Sequence, residues 1–218
     1  MSAFLDMKAS RVLVADDHAV VRQGIRQILA DSPEFDIVRE AATGAEVLEH
    51  LRDGRIDILV LDISMPGMSG LEVIKQVHRE YPKVAVLVLS VHPESQYALR
   101  VMKSGASGYL TKTSAPEEMV AALKRIASGH KYVGESLGEL LANDLEHAVE
   151  GPRHAILSDR EYEVLCLIAA GFSVQQIADQ LVLSVKTVST YRARLLQKMG
   201  MKTGAELTRY ALTQGLVD

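Results

Sequence analysis

Ile56-Asp57-Ile58-Leu59-Val60-Leu61-Asp62-Ile63-Ser64-Met65-Pro66-Gly67-Met68-Ser69-Gly70 is an apolar run that ends in a carboxylate and passes at once into a turn rich in Ser, Pro and Gly. Asp62 therefore stands at the exit of a buried strand, where a titratable group invites chemistry. Three other short apolar runs end alike: Val12-Leu13-Val14-Ala15 in Asp16-Asp17, Val84 to Leu89 in Ser90, and Gly108-Tyr109-Leu110-Thr111 in Lys112. Runs rich in Val, Ile and Leu, separated by helical stretches, predict a parallel sheet covered on both faces. The helical stretches are Val20 to Leu29, Gly44 to Leu51, Leu71 to Arg79, Gln96 to Lys103 and Pro116 to Ala127. Five strands and five helices fit this segment, a doubly wound α/β domain whose ligands sit at the carboxyl ends of the strands.

Those strand ends offer an acidic pair, a single Asp, a hydroxyl and an amine. Clustered carboxylates repel unless a cation sits among them, and a hard cation is the simplest remedy. Mg²⁺ takes few protein carboxylates and keeps several waters, so Asp17, Asp62 and the backbone carbonyl of Ser64 form a plausible open site, with Asp16 on a metal-bound water. A phosphoryl group delivered to Asp62 carries oxygens that Mg²⁺, Lys112 and Ser90 can compensate, which makes Asp62 a nucleophile forming an acyl phosphate. One Asp after a strand is ordinarily a turn former or cap; four such ends in order favour the functional reading. Phosphatases of the haloacid dehalogenase type want a second Asp two residues after the nucleophile, and here that position is Ser64.

On these residues, the segment 10–130 resembles the receiver domain of bacterial two-component response regulators, the CheY-like, flavodoxin-like fold. The resemblance implies that Asp16 and Asp17 are the acidic pair, Asp62 the phosphoacceptor, Ser90 the switch hydroxyl, Tyr109 the switch aromatic and Lys112 the site lysine. One departure is Thr113, where many receivers carry a proline. It also implies that the residues two after Asp62 and two after Ser90, here Ser64 and His92, tune the lifetime of the acyl phosphate. His18 and His92 are expected as solvated loop residues near the pocket rim.

The 218 residues allow two domains, each with its own core. No apolar stretch approaches the ~18 residues of a membrane span, and Met1 to Lys8 lack a signal-peptide pattern, so a cytoplasmic protein is expected. The single cysteine, Cys166, lies in an apolar run and reads as a buried hydrophobe. The seven histidines show no short pair at metal-ligand spacing, so chelation by imidazole is not expected. The expected layout is an N-terminal extension at 1–9, the α/β domain at 10–130, a linker at 131–153 and an all-α domain at 154–218. In the linker, Leu137 to Val149 has helical apolar spacing.

Charge is unevenly placed. Residues 1–130 hold 15 Lys/Arg against 17 Asp/Glu and residues 154–218 hold 7 against 6, yet Val185 to Lys202 contains Lys186, Arg192, Arg194, Lys198 and Lys202 and no acid. Ser158-Asp159-Arg160-Glu161 reads as a capping-box helix start; that helix runs to Gly171 and is followed by Val174 to Leu181, a break at Val182-Leu183-Ser184, and a basic helix from Val185 to about Met199. Two short helices joined by a tight turn, the second basic, describe a helix-turn-helix whose second helix enters the DNA major groove.

With Leu157 to Glu161, Ile177-Ala178, Leu183 to Val188 and Lys198-Met199-Gly200, this segment resembles the LuxR-type helix-turn-helix of the NarL/FixJ response regulators, a four-helix domain that includes Gly204 to Gln214. A helical wheel turns Val188, Leu195 and Met199 inward, flanked by Tyr191 and Arg192. Ser189, Thr190 and Ala193 are candidates for base contact. Lys186, Arg192, Arg194 and Lys198 are candidates for phosphate contact, with Thr187 near the helix start. The resemblance implies a sensor histidine kinase as phosphodonor, a homodimer on an inverted DNA repeat, and no enzymatic activity beyond Mg²⁺-dependent self-phosphorylation and autodephosphorylation at Asp62; RNA polymerase is a candidate partner. The alternative is a phosphorylation-independent DNA-binding regulator whose receiver serves dimerisation or docking.

Overall fold

The computed structural model describes residues 9–91, 94–114, 116–134, 138 and 152–217. The extension Met1 to Lys8, His92 and most of the expected linker helix at 137–149 lie outside the described residues. The chain forms two compact units, one built on the sheet and one on the C-terminal helices.

Up to residue 127 the order is β1 (Ser10–Ala15), α1 (Ala19–Ala30), β2 (Phe35–Ala41), α2 (Gly44–Arg52), β3 (Ile58–Asp62), α3 (Gly70–Glu80), β4 (Ala85–Ser90), α4 (Glu94–Lys103), β5 (Gly108–Thr111) and α5 (Pro116–Ala127). The five strands lie in the order β2-β1-β3-β4-β5, all parallel. Successive side chains point to opposite faces. Val12, Val14, Ile58, Val60, Leu87, Leu89 and Leu110 share one core with Ile25 and Leu29 of α1 and Met119, Ala122, Leu123 and Ile126 of α5. The alternating set, Leu13, Leu59, Leu61, Val86 and Val88, is just as buried on the other face. This double burial is why the strands carry no polar alternation.

β2 is the strand that apolar runs do not mark. It carries Asp36, Arg39 and Glu40 because it lies at the sheet edge, paired only to β1, with its middle partly exposed. Beyond α5 the chain returns to the sheet: Tyr132 bridges Gly108 in parallel, and its hydroxyl donates to Glu118 at 3.0 Å.

The second unit holds a short 3-10 turn (Arg153–Ile156) that the sequence did not suggest, then α6 (Asp159–Ala169), α7 (Val174–Leu181), α8 (Val185–Met199) and α9 (Gly204–Thr213). Each α-helix has its own start signal. Capping boxes open α6 at Ser158 and Glu161, α7 at Ser173 and Gln176, and α9 at Thr203 and Glu206, while the Ser184 side chain accepts from Thr187 N–H at α8. Val164, Leu165, Ile177, Leu181, Val188, Leu195, Met199, Leu207 and Ala211 are buried, and α6 packs on both α8 and α9.

The turn between α7 and α8 is a Schellman end: Leu183 N–H donates to Ala178 at 2.8 Å and Val182 N–H to Asp179 at 3.3 Å. It places Val182 in the left-handed region at φ 54°, alone in this among the described non-glycine residues. A β-branched residue there is strained. No helix among the described residues is long and apolar enough to cross a membrane.

Candidate functional site

β1 and β3 are neighbours, so the residues leaving them, Asp16-Asp17 and Asp62, meet at one end of the sheet. β4 and β5 bring Ser90 and Lys112 to the same end, tied by Lys112 N–H donating to the Ser90 carbonyl at 2.7 Å. Asp16, Asp62, Ser90 and Tyr109 are buried. Lys112 Nζ lies 2.6 Å from Asp16 Oδ2 and 2.7 Å from Asp62 Oδ2. The second contact is a hydrogen bond and the first an ion pair, so the buried Asp16 Oδ2 has the ammonium as its only close counter-charge among the described residues. Asp62 Oδ1 accepts from Ser64 N–H at 3.0 Å, which anchors the turn after β3.

Burial pushes the Asp62 carboxyl above its ordinary range and Asp16 adds to this, although Lys112 and the Ser64 amide pull the other way. For Lys112, burial disfavours the ammonium, but its bonds to the two carboxylates prevail and hold its pKa above the ordinary value. The pair of facts has one physical reading: one cation serves two buried carboxylates, and the site is short of positive charge. Asp16, Asp17, His18 and Asp62 each offer a ligand atom within 4.8 Å of the others. Three carboxylates converging with one lysine among them are a donor set that fits a divalent cation.

Neighbours that strand-end reasoning missed hold the acidic loop. Arg22 of α1 donates to the Asp16 carbonyl at 2.7 Å and to Glu40 of β2 at 3.0 Å, and Arg26 also pairs with Glu40. The signal was a pair of arginines on one helix face, at 22 and 26, opposite an acid on an edge strand. His18 is exposed before α1, as expected, but it also touches the acidic pair. Its N–H donates to Asp16 Oδ1 at 2.8 Å, and its ring Nδ1 lies 2.8 Å from Asp17 Oδ1. Gly70 is required at the start of α3, because a Cβ there would stand 2.6 Å from the Ile63 Cα and 2.8 Å from its carbonyl oxygen. After Lys112 the loop closes by side-chain bonding, with Thr111 Oγ1 2.9 Å from Thr113 Oγ1 and 3.3 Å from Ser114 Oγ.

On α8 the wheel holds for Val188, Leu195 and Met199, which are buried, while Lys186, Ser189, Thr190, Arg192, Ala193 and Arg194 are exposed. Thr187 Oγ1 is 2.8 Å from Ser184 Oγ, and Thr190 Oγ1 donates to the Lys186 carbonyl at 2.9 Å, so both hydroxyls already have partners within the helix or at its cap. Lys198 differs most from the sequence reading. Its ammonium pairs with Glu161 Oε2 at 2.6 Å, and the Glu161 side chain is only 4% exposed. This cation therefore joins α8 to the start of α6 in the structure instead of standing clear for a phosphate. Lys202 lies past the end of α8.

Comparison with known proteins agrees with both halves. Residues 12–124 match the response regulator receiver domain, and residues 155–211 match the luxR family of bacterial regulatory proteins. Response regulator UvrY of Escherichia coli K12 is 37% identical over 208 residues, 95% of each chain. A solved structure of the Salmonella typhimurium RcsB response regulator has a TM-score of 0.70 and 29% identity, covering 95% of this chain and 98% of that one. A structure of RcsB from Salmonella enterica serovar Typhimurium bound to promoter P1flhDC in the presence of phosphomimetic BeF3⁻ has a TM-score of 0.66 and 29% identity, covering 94% and 100%.

A parallel sheet bearing this acid–lysine cluster, followed by a helix-turn-helix, defines a phosphoacceptor regulator that binds DNA. The chain belongs to the NarL/FixJ family of two-component response regulators, DNA-binding regulators of transcription. Membership implies a divalent cation at the acidic cluster and a histidine kinase as partner.

Proposed function

We propose that Asp62 is the phosphoacceptor and that its phosphorylation controls promoter binding through α8. The observation that carries this is the bridge of Lys112 to both Asp16 and Asp62 at 2.6 and 2.7 Å, at the carboxyl end of the sheet. The phosphorus–nitrogen bond of a kinase phosphohistidine breaks as a carboxylate oxygen of Asp62 attacks, and the Asp62–phosphoryl bond forms. A divalent cation held by Asp17, Asp62 and the Ser64 carbonyl, Mg²⁺ in this reading, supplies positive charge for the phosphoryl oxygens. Lys112 shifts its ammonium from the carboxylate pair to a phosphoryl oxygen, and the Ser90 hydroxyl turns to donate to another. Tyr109, buried on the neighbouring strand in register with Val88, two residues before Ser90, follows that movement and passes it to the surface of β5 and α5.

The consequence is dimerisation and binding to an inverted repeat with half-sites about one helical turn, roughly 10 bp, apart. Ser189, Thr190 and Ala193 read bases, and Lys186, Arg192 and Arg194 take phosphates, with Thr187 at the helix start. Lys198 joins the phosphate contacts only if it leaves Glu161. The functional parts divide as 10–130 and 154–218 with a linker at 131–153. Such a protein works in the cytoplasm, with RNA polymerase as partner at the promoter, and its own chemistry is limited to gaining and losing the phosphoryl group at Asp62.

Selection from a random DNA pool tests this, run with Mg²⁺ and with or without beryllium fluoride as phosphoryl mimic. Enrichment of an inverted repeat only with the mimic is the expected result. Equal enrichment in both conditions would favour the phosphorylation-independent regulator instead.

A further inference from the structure

The divalent site proposed above is built from carboxylates, and an imidazole stands beside its acidic pair. His18 occupies the N-cap position of α1, at φ −90° and ψ 110°, but its side chain makes no capping bond. Its backbone N–H is pinned to Asp16 Oδ1 at 2.8 Å, which fixes the residue over the acidic pair. The ring then places Nδ1 2.8 Å from Asp17 Oδ1 and 3.3 Å from Asp16 Oδ1. Two donors at right angles on one ion, each bonded at about 2.1 Å, stand about 3.0 Å apart. The two observed separations bracket that value, so the nitrogen and a carboxylate oxygen lie at a spacing that one ion can span. The His18 side chain is 68% exposed, so the ring is accessible from solvent. Inside the cluster, the Asp16 side chain is 2% exposed and its Oδ2 faces the Lys112 ammonium at 2.6 Å.

We infer that His18 is a nitrogen ligand of the receiver's divalent site, through Nδ1, and gives that site a greater preference for Co²⁺ over Mg²⁺ than its carboxylates alone provide. The inference rests on the reading of Asp16, Asp17 and Asp62 as the cation cluster. In the liganding form the ring is neutral with its proton on Nε2, and Nδ1 offers its lone pair. Imidazole favours the later first-row ions, whereas Mg²⁺ prefers oxygen and keeps waters that replace a missing ligand easily. Loss of His18 therefore falls unequally on the two kinds of ion.

The test uses the full chain. Mn²⁺-loaded protein is probed by electron spin echo envelope modulation for ¹⁴N coupling, and Co²⁺ and Mg²⁺ affinities are measured by calorimetry, for wild type, His18→Ala and Asp17→Asn. The expected result is a nitrogen coupling in wild type that vanishes in His18→Ala. In the same variant Co²⁺ binding weakens about tenfold or more, and Mg²⁺ binding changes less than about twofold. Mn²⁺ binding that depends on Asp17 but shows no His18-dependent nitrogen coupling overturns the inference and leaves the carboxylate site standing. Mn²⁺ binding that Asp17→Asn leaves intact overturns the site itself, and the inference with it.

Discussion

Glu161 does two jobs with one oxygen, and substitution can separate them. Its Oε2 accepts from Ser158 N–H at 2.8 Å, closing the capping box of α6, and from Lys198 Nζ at 2.6 Å, joining α6 to α8. Glu161→Gln keeps a capping-box side chain and removes the charge. Breaking a fully buried pair costs about 3–5 kcal/mol and an exposed one about 0.2–1. The Glu161 side chain is 4% exposed and that of Lys198 41%, so the lysine regains water when its partner is removed. The loss from Glu161→Gln is then about 1–2 kcal/mol, nearer the exposed limit because the remaining charge is not buried. Glu161→Ala also loses the cap, for about 1 kcal/mol more. Lys198→Ala destabilises more than Glu161→Gln, because it strands the buried carboxylate. Burial pushes the Glu161 carboxyl up, but Lys198 and Ser158 outweigh it and hold it below the ordinary range. A depressed carboxyl contributes stability above its unfolded value, near 4.3, and loses it as pH falls through the lower folded value. Amide hydrogen exchange across α6 and α8 in the full chain, at about pH 7 and again below about pH 4, reads both effects. Wild type should lose its advantage over Glu161→Gln on acidification. Protection in Glu161→Gln equal to wild type at neutral pH would refute the reasoning. The released lysine should also steepen the salt dependence of DNA binding by about 0.9 if it reaches a phosphate.

Three further perturbations reach other parts of the structure. Val182→Gly relieves a left-handed β-branched residue and should raise the stability of the helix-turn-helix by about 0.5–1 kcal/mol; a lower thermal midpoint for the C-terminal transition would contradict the strain. Gly70→Ala drives a Cβ into the Ile63 backbone, so it should cost about 1–3 kcal/mol and slow labelling of the adjacent Asp62 by a small phosphodonor. Unchanged stability and labelling would mean that the turn after β3 yields freely. Lys186→Ala and Arg194→Ala should weaken binding to all DNA sequences alike, and each should lower the salt slope by about 1 as one phosphate goes without its cation. A changed sequence preference in either variant would move those residues to the bases.

Much of the fold was legible because both-sided burial leaves its mark on the sequence. The strands at 12–15, 58–61, 84–89 and 108–111 carry almost no polar residue, and each ends in a group that chemistry can use. β2 escaped because an edge strand is wetted along its middle, which admits Asp36, Arg39 and Glu40. The helices of the second unit were readable from their caps: Ser158 with Glu161, and Ser184, start where the sequence places them. Side-chain partners were not legible in that way. A wheel shows that Lys198 lies on α8, but the choice between a phosphate and Glu161, 37 residues away, depends on tertiary packing. The same holds for Arg22, whose grip on the Asp16 carbonyl joins residues that share no strand or helix. Histidine spacing along the chain likewise gave no hint that the backbone bond from His18 to Asp16 would turn the ring onto the acidic pair.

The central claim is that charge chemistry at Asp62 sets DNA affinity at α8. Its most direct measurement is the affinity of the full chain for a selected inverted repeat, with Mg²⁺, before and after treatment with a small-molecule phosphodonor, in wild type and Asp62→Asn. Tighter binding after treatment of wild type, no phosphoryl label on Asp62→Asn, and no change in that variant's affinity are the expected results. Equal tightening in both proteins, or labelled wild type that binds no more tightly than unlabelled, would contradict it.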